Sequence, residues 1–407
     1  MGLGILQQET VMRYLACLIT LGLSLGPVHA QYRDAPQEVK TGKLVEWEGW
    51  SFRWAMRNIE GLVLTDVHFR GRQVLRYAGL AEIFVPYDDG EQRPIDFEDD
   101  GFGKRLLTLQ PGVDCASGNW CKAFDAKGNV AAAKKPAVVM MHEENLGPSY
   151  LGTLGRTPGK MLVLWAAALF PGGEDGYTYI LRWKFRSDGT LIPELGATGV
   201  PQFLKDGDST PYAPRIGKKE DGSRVRAPAH VHTYLFRLDF AVDGPENDVE
   251  EFNWAKENGS KARGVWSPIR AETGRLHNAD TFRSWRVLNR RSLNAMGRPR
   301  SYQLMPAVQG VFRGKSDEKA TFADVWITRA KAKEQPYTKL DPRTALAALP
   351  DYVNGESVEG TSIVLWHWVA FHHQPRTEDY RHQPVVWKSF ELMPRDFLDQ
   401  SPLDGGN

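Results

Sequence analysis

From residue 177 to 185 the chain alternates: Tyr177, Tyr179, Leu181, Trp183 and Phe185 fall on one parity, and Thr178, Arg182 and Lys184 on the other. Side chains of a β-strand point to opposite faces with period two, so every aromatic of this stretch lies on one face and every charge on the other. An aromatic face this wide must be covered by a second layer, and a strand rather than a helix is what presents it. Ser187-Asp188-Gly189 then reads as a turn, and Thr190-Leu191-Ile192 as the returning hairpin strand. Further strands are expected at Met161 to Phe170, His230 to Val242 and Thr361 to Phe371, separated by turn signals such as Pro171-Gly172-Gly173 and Asp243-Gly244-Pro245. Sustained helical periodicity is scarce. The pattern predicts an all-β chain folded as a large antiparallel β-sandwich. Two segments read as excursions from it, the charged Asp206 to Ala227 and the basic Asn289 to Arg300.

Charge narrows the partners. Acidic and basic residues are interspersed and sum to a net +1, which argues against a nucleic-acid or membrane-surface partner. At the amino end, Arg13 precedes an apolar run from Tyr14 to Leu25, followed by Gly26, Pro27 and the small-residue spacing of Val28-His29-Ala30. This is the pattern of an export signal over residues 1–30, with 31–44 as an N-terminal extension and Met12 as a candidate start. About 12 apolar residues are too few to span a bilayer, which takes ~20, so the run is not read as an anchor. A secreted or periplasmic location is expected. Cys17 would leave with the signal, and Cys115 and Cys121 would remain as an even pair in an oxidising compartment, where a short-loop disulfide is expected.

The sharpest chemical feature is His230-Val231-His232 within a strand pattern. Residues two apart share a strand face, so both imidazoles can converge on one ion, and imidazole suits copper, zinc, iron or nickel without choosing among them. A further ligand is sought in Phe371-His372-His373-Gln374-Pro375-Arg376-Thr377-Glu378-Asp379. Neighbours on a strand face opposite ways, so only one of His372 and His373 joins such a site easily. His367 shares the parity of His373 and is either an outer-layer group or a core histidine between Trp366 and Trp368.

The order of segments resembles the catalytic domain of the copper amine oxidase family over residues 45–403. The resemblance rests on Trp47-Glu48-Gly49-Trp50-Ser51-Phe52-Arg53, Glu60-Gly61-Leu62, Leu80-Ala81-Glu82-Ile83-Phe84-Val85-Pro86-Tyr87 and Asp100-Gly101-Phe102-Gly103. It continues through Trp285-Arg286-Val287-Leu288-Asn289, Tyr302-Gln303-Leu304-Met305-Pro306 and Pro394-Arg395-Asp396-Phe397-Leu398-Asp399. Each piece is weak and their shared order is specific. The resemblance implies Cu(II) held by His230, His232 and His373, and a topaquinone derived from Tyr177. It implies Asp96 as the base that takes the α-proton of a primary amine, and Tyr87 as a hydrogen-bond partner of the quinone. Dioxygen would be the second substrate, and aldehyde, ammonia and hydrogen peroxide the products. Members pair as homodimers that exchange hairpin arms, and Asn289 to Arg300 resembles one such arm. The pattern begins soon after the signal, so the small amino-terminal domains of typical members are not expected.

The chain also departs from the family pattern. Gly176 and Thr178 flank Tyr177 where Asn and an acidic residue are usual. That difference admits two other readings: a copper-binding relative without the quinone, serving as carrier or interaction protein, or a copper oxidase with a different substrate. Tyr179, on the same face as Tyr177, is a second candidate precursor. Pro94 stands where an aromatic gate is common, implying a reshaped entrance. Asp239 is kept at the family's peripheral calcium position, but Ala241 and Ser362 replace expected acids, so no strong calcium site is expected.

Overall fold

The computed structural model describes residues 43–88, 92–94, 101–115, 120–131, 136–170, 176–204, 210, 212–257, 261–307, 312–331 and 349–404. The proposed signal, nearly all of the extension, and Asp96 lie outside the described residues.

The aromatic strand forms as its alternation requires. Tyr177–Arg186 buries every odd position and leaves every even one half-exposed. It pairs through the turn at 187–190 with Leu191–Gly199. Gly189 sits in that turn at φ 91, where a Cβ would meet the Phe69 ring at 2.6 Å, so a glycine serves both the backbone and the packing.

Two antiparallel sheets face each other among the described residues. The eight-stranded sheet runs, in spatial order, Lys43–Trp47, Trp50–Arg57, Gly61–Phe69, Arg72–Phe84, His230–Phe240, Ile363–His373, Val325–Arg329 and Thr273–Arg275. The larger sheet holds Tyr177–Arg186 near its middle, flanked by Leu191–Gly199 and Gly155–Phe170. The chain therefore leaves the first sheet after Phe84, builds half of the second, and returns with His230–Phe240 beside Arg72–Phe84. That crossover sets Tyr177 and His230 on opposing sheets. It also places them on inner faces.

The core between the sheets is aromatic. Phe52 stacks on Phe185 with ring centroids 4.1 Å apart, and Trp50 meets the same ring edge-on at 5.2 Å. Such contacts add about 0.5–1.5 kcal/mol each beyond the area they bury. The indole N–H groups are satisfied across the gap: Trp183 donates to the Leu62 carbonyl at 2.8 Å and Trp50 to that of Arg186 at 2.7 Å. These bonds fix the offset of one sheet against the other.

The two expected excursions part company. Of the first, 206–227, the described residues include a small hairpin apart from both sheets, Arg215–Lys218 with Arg224–Arg226. Asn289 to Arg300, in contrast, is the closed end of the hairpin Ser284–Leu293 with Pro299–Met305, inside the larger sheet. Basic residues suggested an excursion because Arg290 and Arg291 pair with Asp248, Glu250 and Glu246, carboxylates that are distant in sequence. A longer projection comes from Val139–Gly152 and Gly155–Phe170. Their outer parts, 145–160, pair with each other while the neighbouring strands stop at His142 and Met161. Cys115 and Cys121 form the expected disulfide, with Cα atoms 6.3 Å apart.

Candidate metal centre

His230–Phe240 and Ile363–His373 lie side by side with His230 directly opposite His373 and His232 opposite Phe371. The inner parity of the first strand carries His230, His232, Tyr234 and Phe236 into the core, and that of the second carries Leu365, Val369, Phe371 and His373. His372 points the other way. It is exposed, with Nε2 3.3 Å from Asp88 Oδ2. The register thus joins His230, His232 and His373 and leaves His372 out. His367 is a core histidine whose Nδ1 donates to the Asp324 carbonyl at 2.9 Å, with its ring against Phe390.

The ring nitrogens of the three histidines converge. His230 Nε2 lies 3.0 Å from His232 Nε2 and 3.2 Å from His373 Nδ1, and one atom from each ring falls within a 4.8 Å cluster. The far side of each ring has its own partner: the Pro228 carbonyl for His230 Nδ1 at 3.0 Å, the Tyr179 hydroxyl for His232 Nδ1 at 3.2 Å, and Asp379 Oδ2 for His373 Nε2 at 3.1 Å. A carbonyl and a carboxylate only accept, so His230 carries its proton on Nδ1 and His373 on Nε2. Their inward nitrogens are then lone pairs facing each other, an arrangement that a shared cation satisfies. Burial also favours neutral rings, pushing His230 down to about 3, with the neighbouring His373 adding to the effect. Burial lowers His232 and His373 as well, and Asp379 opposes the shift at His373. Metal ligands must be neutral imidazoles, so this donor set fits a divalent transition metal such as copper.

Tyr177 reaches the same point from the opposite sheet. Its hydroxyl lies 2.9 Å from His230 Nε2 and 3.1 Å from His373 Nδ1. Burial, then the proximity of Tyr87 and Asp379, holds its phenol well above the ordinary tyrosine range. Tyr179 does not share this aim, since its hydroxyl meets the outward nitrogen of His232. Of the two candidate precursors, only Tyr177 points at the lone pairs.

The neighbours of Tyr177 have a backbone explanation. Gly176 has φ 80, a left-handed conformation that glycine adopts freely and that asparagine tolerates better than other residues. Thr178 is only partly buried and lies on the outer parity of the strand. Replacing the acidic residue there alters the outer face. The inner face is set by the odd positions, Tyr177 and Tyr179 among them.

Tyr87 forms a bridge with the backbone of His230 and lays its ring 4.6 Å from that imidazole. The described residues flanking Asp96 are anchored on both sides. The Pro94 carbonyl accepts from Val85 N at 3.0 Å, and Phe102 is buried against Phe170, which in turn meets Tyr179. Asp239, kept at the expected calcium position, is buried and bound to Arg237 at 2.7 and 3.0 Å.

Sequence reasoning did not assign the outer partners. Asp379 was visible only as part of a motif after His373. Its role comes from the tight turn at 376–379, in which its carboxylate accepts from Arg376 N at 2.9 Å while holding the imidazole. The Pro228 carbonyl leaves no side-chain signal at all.

Comparison with known proteins agrees with this geometry. The family model described as copper amine oxidase, enzyme domain, matches residues 38–404. Histamine oxidase of Arthrobacter globiformis is 28% identical over 94% of this chain and 60% of its own length. Copper amine oxidase 1 of Aspergillus niger is 30% identical over 93% of this chain and 60% of its own. The chain thus spans about three-fifths of the curated relatives it matches. The crystal structure of a copper-containing benzylamine oxidase from Hansenula polymorpha superimposes with a TM-score of 0.74 at 26% identity, covering 88% of this chain and 60% of that one. The family uses Cu(II) and topaquinone, and three buried histidines stand here where an ion would be held. By that match over nearly its whole length, and by the sandwich it shares, the chain belongs to the copper amine oxidase family.

Proposed function

We propose that the chain is a secreted or periplasmic primary-amine oxidase that converts an amine, dioxygen and water to an aldehyde, ammonia and hydrogen peroxide. The observation that carries this reading is the Tyr177 hydroxyl, set 2.9 and 3.1 Å from the inward nitrogens of His230 and His373. A phenol in that position is the one that a metal held by His230, His232 and His373 would touch. Once formed, topaquinone and copper would supply the electron acceptor for the amine and the route to dioxygen.

The residues divide the remaining work. His230, His232 and His373 hold the metal from a rigid pair of strands, and the enclosing aromatic core excludes bulk water from it. Asp96 is the base that takes the α-proton, and Tyr87, packed on His230, orients the cofactor ring. Relatives named for histamine, methylamine and benzylamine oxidation support an amine as the substrate class. A homodimer is part of the proposal. It draws on the projecting ribbon at 145–160, where Leu151 and Leu154 are exposed.

A copper-binding protein without the quinone is the other reading, motivated by Gly176 and Thr178. The left-handed backbone at Gly176 and the outward parity of Thr178 favour the oxidase. The test is an amine panel with copper-loaded protein in air, following peroxide and ammonia together. Equimolar release that disappears in Tyr177→Phe is the expected result. Full turnover in that variant would instead support a copper oxidase working by another route.

A further inference from the structure

The outer partners of the three histidines differ in kind. Pro228 offers a carbonyl and Asp379 a carboxylate, neither of which can donate, so the tautomers of His230 and His373 are fixed by chemistry. Tyr179 offers a hydroxyl, which can both donate and accept. If that hydroxyl donates to His232 Nδ1, the ring proton sits on Nε2 and aims at His230 Nε2, 3.0 Å away. If it accepts, Nδ1 carries the proton and the Nε2 lone pair turns inward. Only the second arrangement makes His232 a metal ligand.

We propose that Tyr179 is a positioning residue for the metal: its phenol oxygen accepts the Nδ1 proton of His232 and thereby holds the Nε2 lone pair toward the ion. This rests on the copper-site reading above. Three further features equip Tyr179 for it. The side chain is 1% exposed, so water does not compete for the hydroxyl. Its ring is braced by Phe170 at 5.4 Å and Tyr234 at 6.0 Å, both edge-on. Its strand also carries Tyr177, so one strand delivers both the phenol aimed at the metal point and the phenol that orients a ligand. The His232 ring is held on its other side by Phe371, stacked at 4.8 Å, so the hydrogen bond chooses the tautomer of a ring whose plane is already set.

The test compares Tyr179→Phe with Tyr302→Phe, each measured for Cu(II) affinity by chelator competition, for the Cu(II) electron paramagnetic resonance spectrum, and for thermal stability. Tyr302 is also fully buried, and it donates to the Gly189 carbonyl at 2.8 Å away from the histidines, so it reports the effect of losing a buried phenol in general. Removal of an outer-shell partner lowers metal affinity by about 10–100-fold. The expected result is a loss of that size with an altered spectrum in Tyr179→Phe, and wild-type affinity and spectrum in Tyr302→Phe. Unchanged affinity and spectrum in Tyr179→Phe would overturn the proposal, as would an equal loss in both variants. Failure of the wild-type chain to bind copper would be a different result, removing the copper-site reading and this role with it.

Discussion

His372 and His373 are adjacent in sequence and face opposite ways, and that single parity decides which one can reach the metal point. Strand parity could state the choice but not make it, because nothing local says which parity of Ile363–His373 looks inward; only the resemblance named His373. Register against His230–Phe240 makes it, and register is a long-range property. The His-x-His spacing was legible because period two is local. The partners at Pro228 and Asp379 were not, because they depend on a backbone carbonyl and on a turn that folds back after the strand ends. Replacing a ligand should therefore be far more severe than replacing its neighbour. His230→Ala is expected to lose stoichiometric copper, measured by metal analysis after desalting, while His372→Ala retains it. Copper loss in His372→Ala with retention in His373→Ala would reverse the assignment.

At the scale of elements, the strand Tyr177–Arg186 was readable from its side chains alone, down to the turn at 187–189, because its two faces meet such different surroundings. The basic stretch at Asn289 to Arg300 misled for the opposite reason. Its charges are neutralised by carboxylates on distant strands, so a polar composition coexists with sheet pairing. Trp183 shows how one side chain couples the layers, being fully buried and bonded to the Leu62 carbonyl of the opposing sheet. Trp183→Ala should lower stability by about 3–5 kcal/mol through cavity formation and the orphaned carbonyl, as read by chemical denaturation. A loss below about 1 kcal/mol would mean that the two layers are not held by this contact. The disulfide closes a separation of only 6 residues, so Cys115→Ser is expected to cost about 2 kcal/mol by the loop-entropy relation. The same denaturation curves check it.

At the scale of the whole molecule, the class of fold followed from alternation, but the order of strands did not. Arg72–Phe84 and His230–Phe240 pair across an intervening half-sheet, and no local pattern announces such a partner. Closing the sandwich over histidines has a thermodynamic consequence. Burial pushes His367 down to about 4. The unfolded chain takes up that proton near pH 6.5, so between these values the unfolded state binds more protons and folding weakens as pH falls. The contribution is complete above about pH 6.5 and is lost toward pH 4, amounting to roughly 3 kcal/mol at ~1.4 kcal/mol per unit. His367→Phe should flatten the stability profile over that window by a similar amount, measured by urea unfolding at several pH values. An unchanged slope would show that the ring is protonated in the fold. The central claim, that this sandwich brings Tyr177 to a copper ion and converts it, is tested most directly by adding Cu(II) to the apo-protein in air. The visible spectrum is recorded and the carbonyl titrated with phenylhydrazine. The account predicts a quinone band and an adduct approaching one per chain, both absent in Tyr177→Phe; copper binding with neither band nor adduct in the wild type would contradict it.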